Sequence, residues 1–209
     1  MENYSCKFIE KVFINDKSKD YKGYCDFNNK PNKEPIKKFY DNHLFRLSLK
    51  CKIQDKGEPI TVILMNPSYA DQHNLDGTLF NVKEYLASKG FSEFEVLNVF
   101  PIRMPNSDNL SGLMKKYDKN NEYQELNKKY IENTLKKSKK VLVAWGGKYH
   151  SKAKWMFDLL KDKELLAYGI NSSDCSPMHF APQVYNKNKS NPLKQVKIFK
   201  TNRGRCYFE

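Results

Sequence analysis

The sequence predicts an α/β fold, a three-layer sandwich on a central, mostly parallel sheet. Unbroken apolar runs, Ile60 to Met65 and Val141 to Trp145, fit strands buried on both faces, as parallel strands are. Segments of helical periodicity, 78–89 and 122–138, separate these runs from one another and from a third strand at 94–100. Each of the three runs empties into a polar or Gly-containing loop, and in such sheets ligands sit beyond the carboxyl ends of the strands.

Taken in chain order, residues 14–38 are polar and rich in Asn and Lys, and read as a long loop or an ordered appendage. Phe45, Leu47, Leu49 and Cys51 alternate along 45–53, which predicts a half-buried strand. Gly57-Glu58-Pro59 then turns the chain into the strand at 60–65. Leu79, Val82, Tyr85 and Leu86 recur at helical spacing, and Gly90 can end that helix. After the helix at 122–138 and the strand at 140–145, Gly146-Gly147 closes the strand. A helix near 149–162, a short strand at 165–170 and two short strands within 195–208 around Asn202-Arg203-Gly204 complete the chain. The expected division is an N-terminal appendage or loop-rich extension, 1–42, and one α/β domain, 43–209.

Composition narrows the class. The 209 residues carry 37 Lys+Arg against 24 Asp+Glu, a formal net charge of +13, which points to a polyanionic partner, most simply nucleic acid. A hydrophobic fraction of 39%, with 13 Tyr, 13 Phe and 2 Trp, argues against disorder. Five cysteines, Cys6, Cys25, Cys51, Cys175 and Cys206, form no C-x-x-C pair, which disfavours zinc, an iron–sulfur cluster or a disulfide framework. No apolar run reaches the roughly 18 residues of a membrane helix, and residues 1–10 lack a signal-peptide core. The expectation is a cytosolic protein with no metal and no cofactor.

The strand ends hold the candidate chemistry. The run 60–65 leads into Asn66-Pro67-Ser68-Tyr69-Ala70-Asp71, where Pro67 keeps Asn66 extended and gives the chain a fixed exit direction. This aims the Asn66 amide at a ligand or serves as turn chemistry alone. Asp76, before Gly77-Thr78, is first of all a helix cap. Asn98 is polar inside Val96-Leu97-Asn98-Val99-Phe100, so its amide needs backbone or a ligand as partner. Arg103 and Lys148 follow their strands on short loops, and His179 stands between Pro177 and Pro182.

In this order, ILMNPSYAD, DGTLF, VLNVFPIR, VLVAWG and PMHFAP resemble the domain-of-unknown-function family 1643, across roughly 43–185. The ordering is similar, more distantly, to the uracil-DNA glycosylase superfamily, and that resemblance implies a glycosylase-like fold. It places Asn66 where a side chain positions water, and Phe80 where an aromatic stacks on an extruded base, with Tyr69 as a further base contact. It places Asn98 where an amide reads the base, and His179 where an imidazole meets the carbonyl oxygen of the departing base. An amide cannot deprotonate water, so Asp71 is the candidate base.

The activity this implies is hydrolysis of the N-glycosidic bond of a uracil or modified base in DNA, single- or double-stranded. Its setting is implied to be conflict between phage and host. Arg103, Lys148, Lys187, Lys194, Lys197, Lys200 and Arg203 are then the phosphate contacts, and the loop Gln183-Val184-Tyr185 fills the gap left in the duplex. The alternatives are a non-catalytic binder of a base, nucleotide or nucleic acid, and a nucleotide or nucleoside hydrolase.

Overall fold

A computed structural model describes residues 5–14, 17–26, 45–68, 70, 75–200 and 206–208. Ten strands are described: β1 (Ser5–Ile14), β2 (Lys17–Asp26), β3 (Phe45–Lys52), β4 (Pro59–Leu64), β5 (Glu93–Asn98), β6 (Lys140–Val143), β7 (Glu164–Ala167), β8 (Lys194–Val196), β9 (Ile198–Lys200) and β10 (Cys206–Phe208). The helices are α1 (Gly77–Ser88), α2 (Leu110–Tyr117), α3 (Glu122–Lys137), α4 (Phe157–Leu160) and α5 (Pro182–Asn188), with 3₁₀ turns at Ser107–Asn109 and His150–Met156.

The fold is α/β, and its sheet runs in the order β2-β1-β3-β5-β4-β6-β7-β8. The three apolar runs form one parallel set, with β4 paired to β5 on one side and β6 on the other, and β7 parallel to β6. The expectation of a mostly parallel sheet is corrected: β1, β2 and β3 join antiparallel on one flank and β8 on the other, so the sheet is mixed. The physical reason is the connections. A parallel neighbour needs a crossover of a dozen or more residues, and only two residues, 15 and 16, separate β1 from β2.

Alternation along the strands splits the core in two. Val62, Leu64, Val96 and Leu142 pack with Leu79, Val82 and Leu86 of α1. Ile63, Leu97, Val141 and Val143 pack on the opposite face with Leu110 of α2, Ile131 and Leu135 of α3, and Leu160 of α4. The chain from β4 therefore turns toward one face and the chain from β6 toward the other. Two adjacent parallel strands whose loops part in this way open a crevice at their carboxyl ends.

Local departures have local causes. Lys17–Asp26, within the stretch read as loop or appendage, is a strand paired with β1. Strand β3 is buried through its first five residues rather than on one face, because Phe45 stacks on Tyr123 of α3 at 4.0 Å and Ser48 bonds Tyr130. Half of the helix expected at 149–162 is 3₁₀, His150–Met156, and only Phe157–Leu160 is α-helical. The loop at 183–185 is the body of α5, with Pro182 at its first turn. Among the described residues no helix is long and apolar enough to cross a membrane.

Candidate active site

A cleft of about 370 Å³ lies at the parting of the β4 and β6 loops, lined by Arg46, Leu64, Asn66, Asp76, Trp145, Gly146, Lys148, Tyr149 and His179, among others. Its size is that of a small-molecule site. Asn66 enters it directly from β4. Its Nδ2 donates to the carbonyl oxygens of Pro67 (2.8 Å) and Met104 (2.7 Å), tying the β4 loop to the β5 loop. With both N–H groups engaged, Oδ1 is the atom left to receive a hydrogen bond.

Asp76 caps α1, its Oδ1 accepting the Leu79 N–H at 2.9 Å, while Oδ2 accepts the Ala70 N–H at 3.2 Å. Arg46 donates from Nη1 to the Ala70 carbonyl at 2.7 Å. Both polar groups of Ala70 are thereby clamped by residues of the cleft wall. Sequence reading missed Arg46, which stands on the supposed solvent side of β3, and gave Asp76 its cap without its place in the cleft.

His179 is the most constrained group. Its Nδ1 accepts the Ala181 backbone N–H at 3.0 Å, which requires an unprotonated Nδ1 and leaves the proton on Nε2. Tyr168 Oη donates to the His179 carbonyl at 2.5 Å, and Asn81 Nδ2 to the Phe180 carbonyl at 2.9 Å. Tyr168 and Phe180 pack at tilted and edge-on angles with Tyr85 and Tyr185 behind the loop. Gly146, at φ +78°, donates its N–H to the Pro177 carbonyl, and a Cβ there would lie 3.3 Å from His179 Cβ. Only glycine adopts this conformation without strain while admitting the histidine.

Burial lowers the pKa of His179, and the charge of Asp76 only partly opposes it. The imidazole is thus neutral, an Nε2–H donor. An unfolded chain then binds a proton that the native site resists. Stability should be full above the ordinary histidine pKa of about 6.5 and fall as pH drops below it toward the lowered native value. Urea unfolding of the protein and of His179→Gln between pH 8 and 5 checks this: the acid slope should be shallower in the variant.

The expected residues are only partly gathered. Asn66, His179 and Lys148 line the cleft, Lys148 in an ion pair with Asp108. Phe80, 40% exposed, stands on α1 outside the cleft lining. Asn98 is 0% exposed and also outside the lining, and neither atom of its amide has a hydrogen-bond partner. Arg103, expected on the surface, is interior at 7% exposure, and burial brings its pKa down to about 10. Lys187, Lys194 and Lys197 are exposed. Lys200 lies on β9, its side chain outside the described residues, as are Tyr69, Asp71 and Arg203. Tyr185 is held in the aromatic cluster, so it does not project as a gap filler.

No curated protein and no solved structure is detectably similar to the chain. The family described as "Protein of unknown function (DUF1643)" matches residues 46–180, from the arginine of the cleft wall to the residue after His179. That span is more than half of the chain and contains most of the cleft, and the chain belongs to this family.

Proposed function

We propose that the protein is a glycosylase-like enzyme that hydrolyses the N-glycosidic bond of a uracil or modified base in DNA, on a fold of the uracil-DNA glycosylase kind. The observation that carries this reading is the neutral His179, fixed with Nε2–H as donor in the same cleft as the free Oδ1 of Asn66. As the bond to the base breaks, negative charge grows on the base carbonyl, and a preorganised neutral donor stabilises it without a cost of reorganisation. Asn66 Oδ1 accepts from the attacking water and orients it. The cleft's position at the strand ends leaves room for a nucleotide drawn out of the stack.

The test is direct. DNA carrying uracil or a modified base is incubated with the protein, and abasic sites are revealed by alkaline strand cleavage. Strand breaks at the marked base support the reading. Binding without release across a broad panel favours the non-catalytic binder, to which the uncharged Asn66 also lends weight.

The exposed Lys187, Lys194 and Lys197 supply phosphate contacts under this reading. Affinity for DNA should fall with salt, with a log–log slope of about −0.9 per phosphate neutralised on a duplex, and replacing the three lysines with Gln should flatten it. A slope unchanged in the triple variant would place the DNA elsewhere.

A further inference from the structure

We infer that Tyr149, on the loop after β6, is the aromatic surface on which a base stacks in the cleft, in place of Phe80 on α1. The inference rests on the DNA-base reading above and deepens it. Of the described Phe, Tyr and Trp residues, two line the cleft, Trp145 and Tyr149. Trp145 is buried, with His150, Phe157 and Phe208 around its ring, and belongs to the core. Tyr149 is half-buried, at the cleft wall.

Its neighbours fix where the ring stands. The centroid lies 5.9 Å from that of Phe100, with 77° between the planes. Edge-to-face contact of this kind sets the tilt of a ring. The Phe100 N–H in turn donates to the carbonyl of Met65, the residue before Asn66, at 2.9 Å. In the other direction, Tyr149 is three residues beyond Gly146, which abuts the Cβ of His179. Tyr149 is thereby tied both to the strand that delivers Asn66 and to the loop that touches His179.

The two walls come from different core layers. Tyr149 packs with Phe100 and Met104 on the side of the sheet covered by α2 and α3. Met178 and Phe180, on either side of His179, pack on the side covered by α1. His179 and Tyr149 therefore approach the cleft from opposite faces of the sheet. A base carries its hydrogen-bonding atoms in the ring plane and its π surface above that plane. A donor at the edge and a ring at the face then act together, and the stack tolerates any base because every base has a π face.

The test uses two single-stranded oligonucleotides of one sequence. One carries 2′-fluoro-2′-deoxyuridine, whose electron-withdrawing fluorine disfavours a cationic sugar and keeps the base attached. The other carries tetrahydrofuran at that position. Losing one base–aromatic stack is worth about 5–100-fold in affinity. Tyr149→Leu should weaken binding of the base-bearing oligonucleotide by that factor and leave the tetrahydrofuran one unchanged, which also reports a folded cleft. Tyr149→Phe and Tyr149→Trp, which keep a ring, should retain the affinity, and so should Phe80→Leu. Equal loss of both ligands in Tyr149→Leu would make the tyrosine merely structural and overturn the inference. No loss there, or a selective loss in Phe80→Leu instead, would overturn it as well. If the unmodified protein binds neither oligonucleotide, or both equally, no base enters the cleft, and the DNA-base reading fails together with the inference.

Discussion

Replacing His179 with Ala should slow base release by about 10²–10³, equivalent to about 3–4 kcal/mol, the scale of losing one donor to a developing oxyanion. The loss should appear in kcat with little change in KM, because the hydrogen bond strengthens as charge grows on the base rather than in the ground state. Two features of the loop make the effect specific. Nδ1 is held by the Ala181 N–H, so the side chain presents its other nitrogen as donor. The backbone on both sides is fixed by Tyr168 and Asn81, so the truncated side chain leaves the loop in place. His179→Gln, whose amide can still donate, should recover part of the rate. Equal, small effects of both variants on kcat, in an enzyme shown to release a base, would remove His179 from the mechanism.

Much of this architecture was legible because the signals were local or periodic. The runs at 60–65, 94–100 and 140–145 read as buried strands from burial on both faces, and they lie parallel side by side. Asp76 read as a cap from its position before Gly77-Thr78, and it caps α1. The antiparallel pairing of the flanking strands was not legible, since strand order is set by long-range pairing that leaves no mark on local periodicity. Helix α2 went unread, as it is short and mostly exposed, with Leu110 its one buried residue. The helix α5 was taken for a loop although Pro182 stands at its first turn, where proline is favoured.

Asn66 and His179, which line the cleft, were singled out because strand ends and flanking prolines mark them. Arg46 was missed for a reason of geometry. Alternation along β3 assigned it to solvent, but the side chain is buried, and its guanidinium reaches the Ala70 carbonyl in the loop after β4. Arg103 was misplaced by the opposite error. A cation on a short loop reads as surface, yet its neighbours Ile102 and Pro101 are buried and carry it inward.

Asn98 gives the second large effect. Its amide is fully buried with neither atom bonded, and a buried polar group in that state costs about 1–3 kcal/mol. Leucine has the same branching with two methyl groups in place of the amide oxygen and nitrogen. Asn98→Leu should therefore stabilise the protein by up to about 1–3 kcal/mol, reduced by whatever strain the larger methyl groups impose on neighbouring Leu64. The measurement is a urea midpoint with an unchanged m-value. Leu64 is itself part of the cleft floor, and Asn98 is its partner on the adjacent strand, one strand spacing of about 4.8 Å away. An amide kept there at a cost to stability is explained if a bound base satisfies it, and then Asn98→Leu should weaken binding of the marked DNA while raising the midpoint. A fall in stability would mean that the amide is already satisfied in solution, and with it the argument that Asn98 is held in reserve for a ligand would be lost.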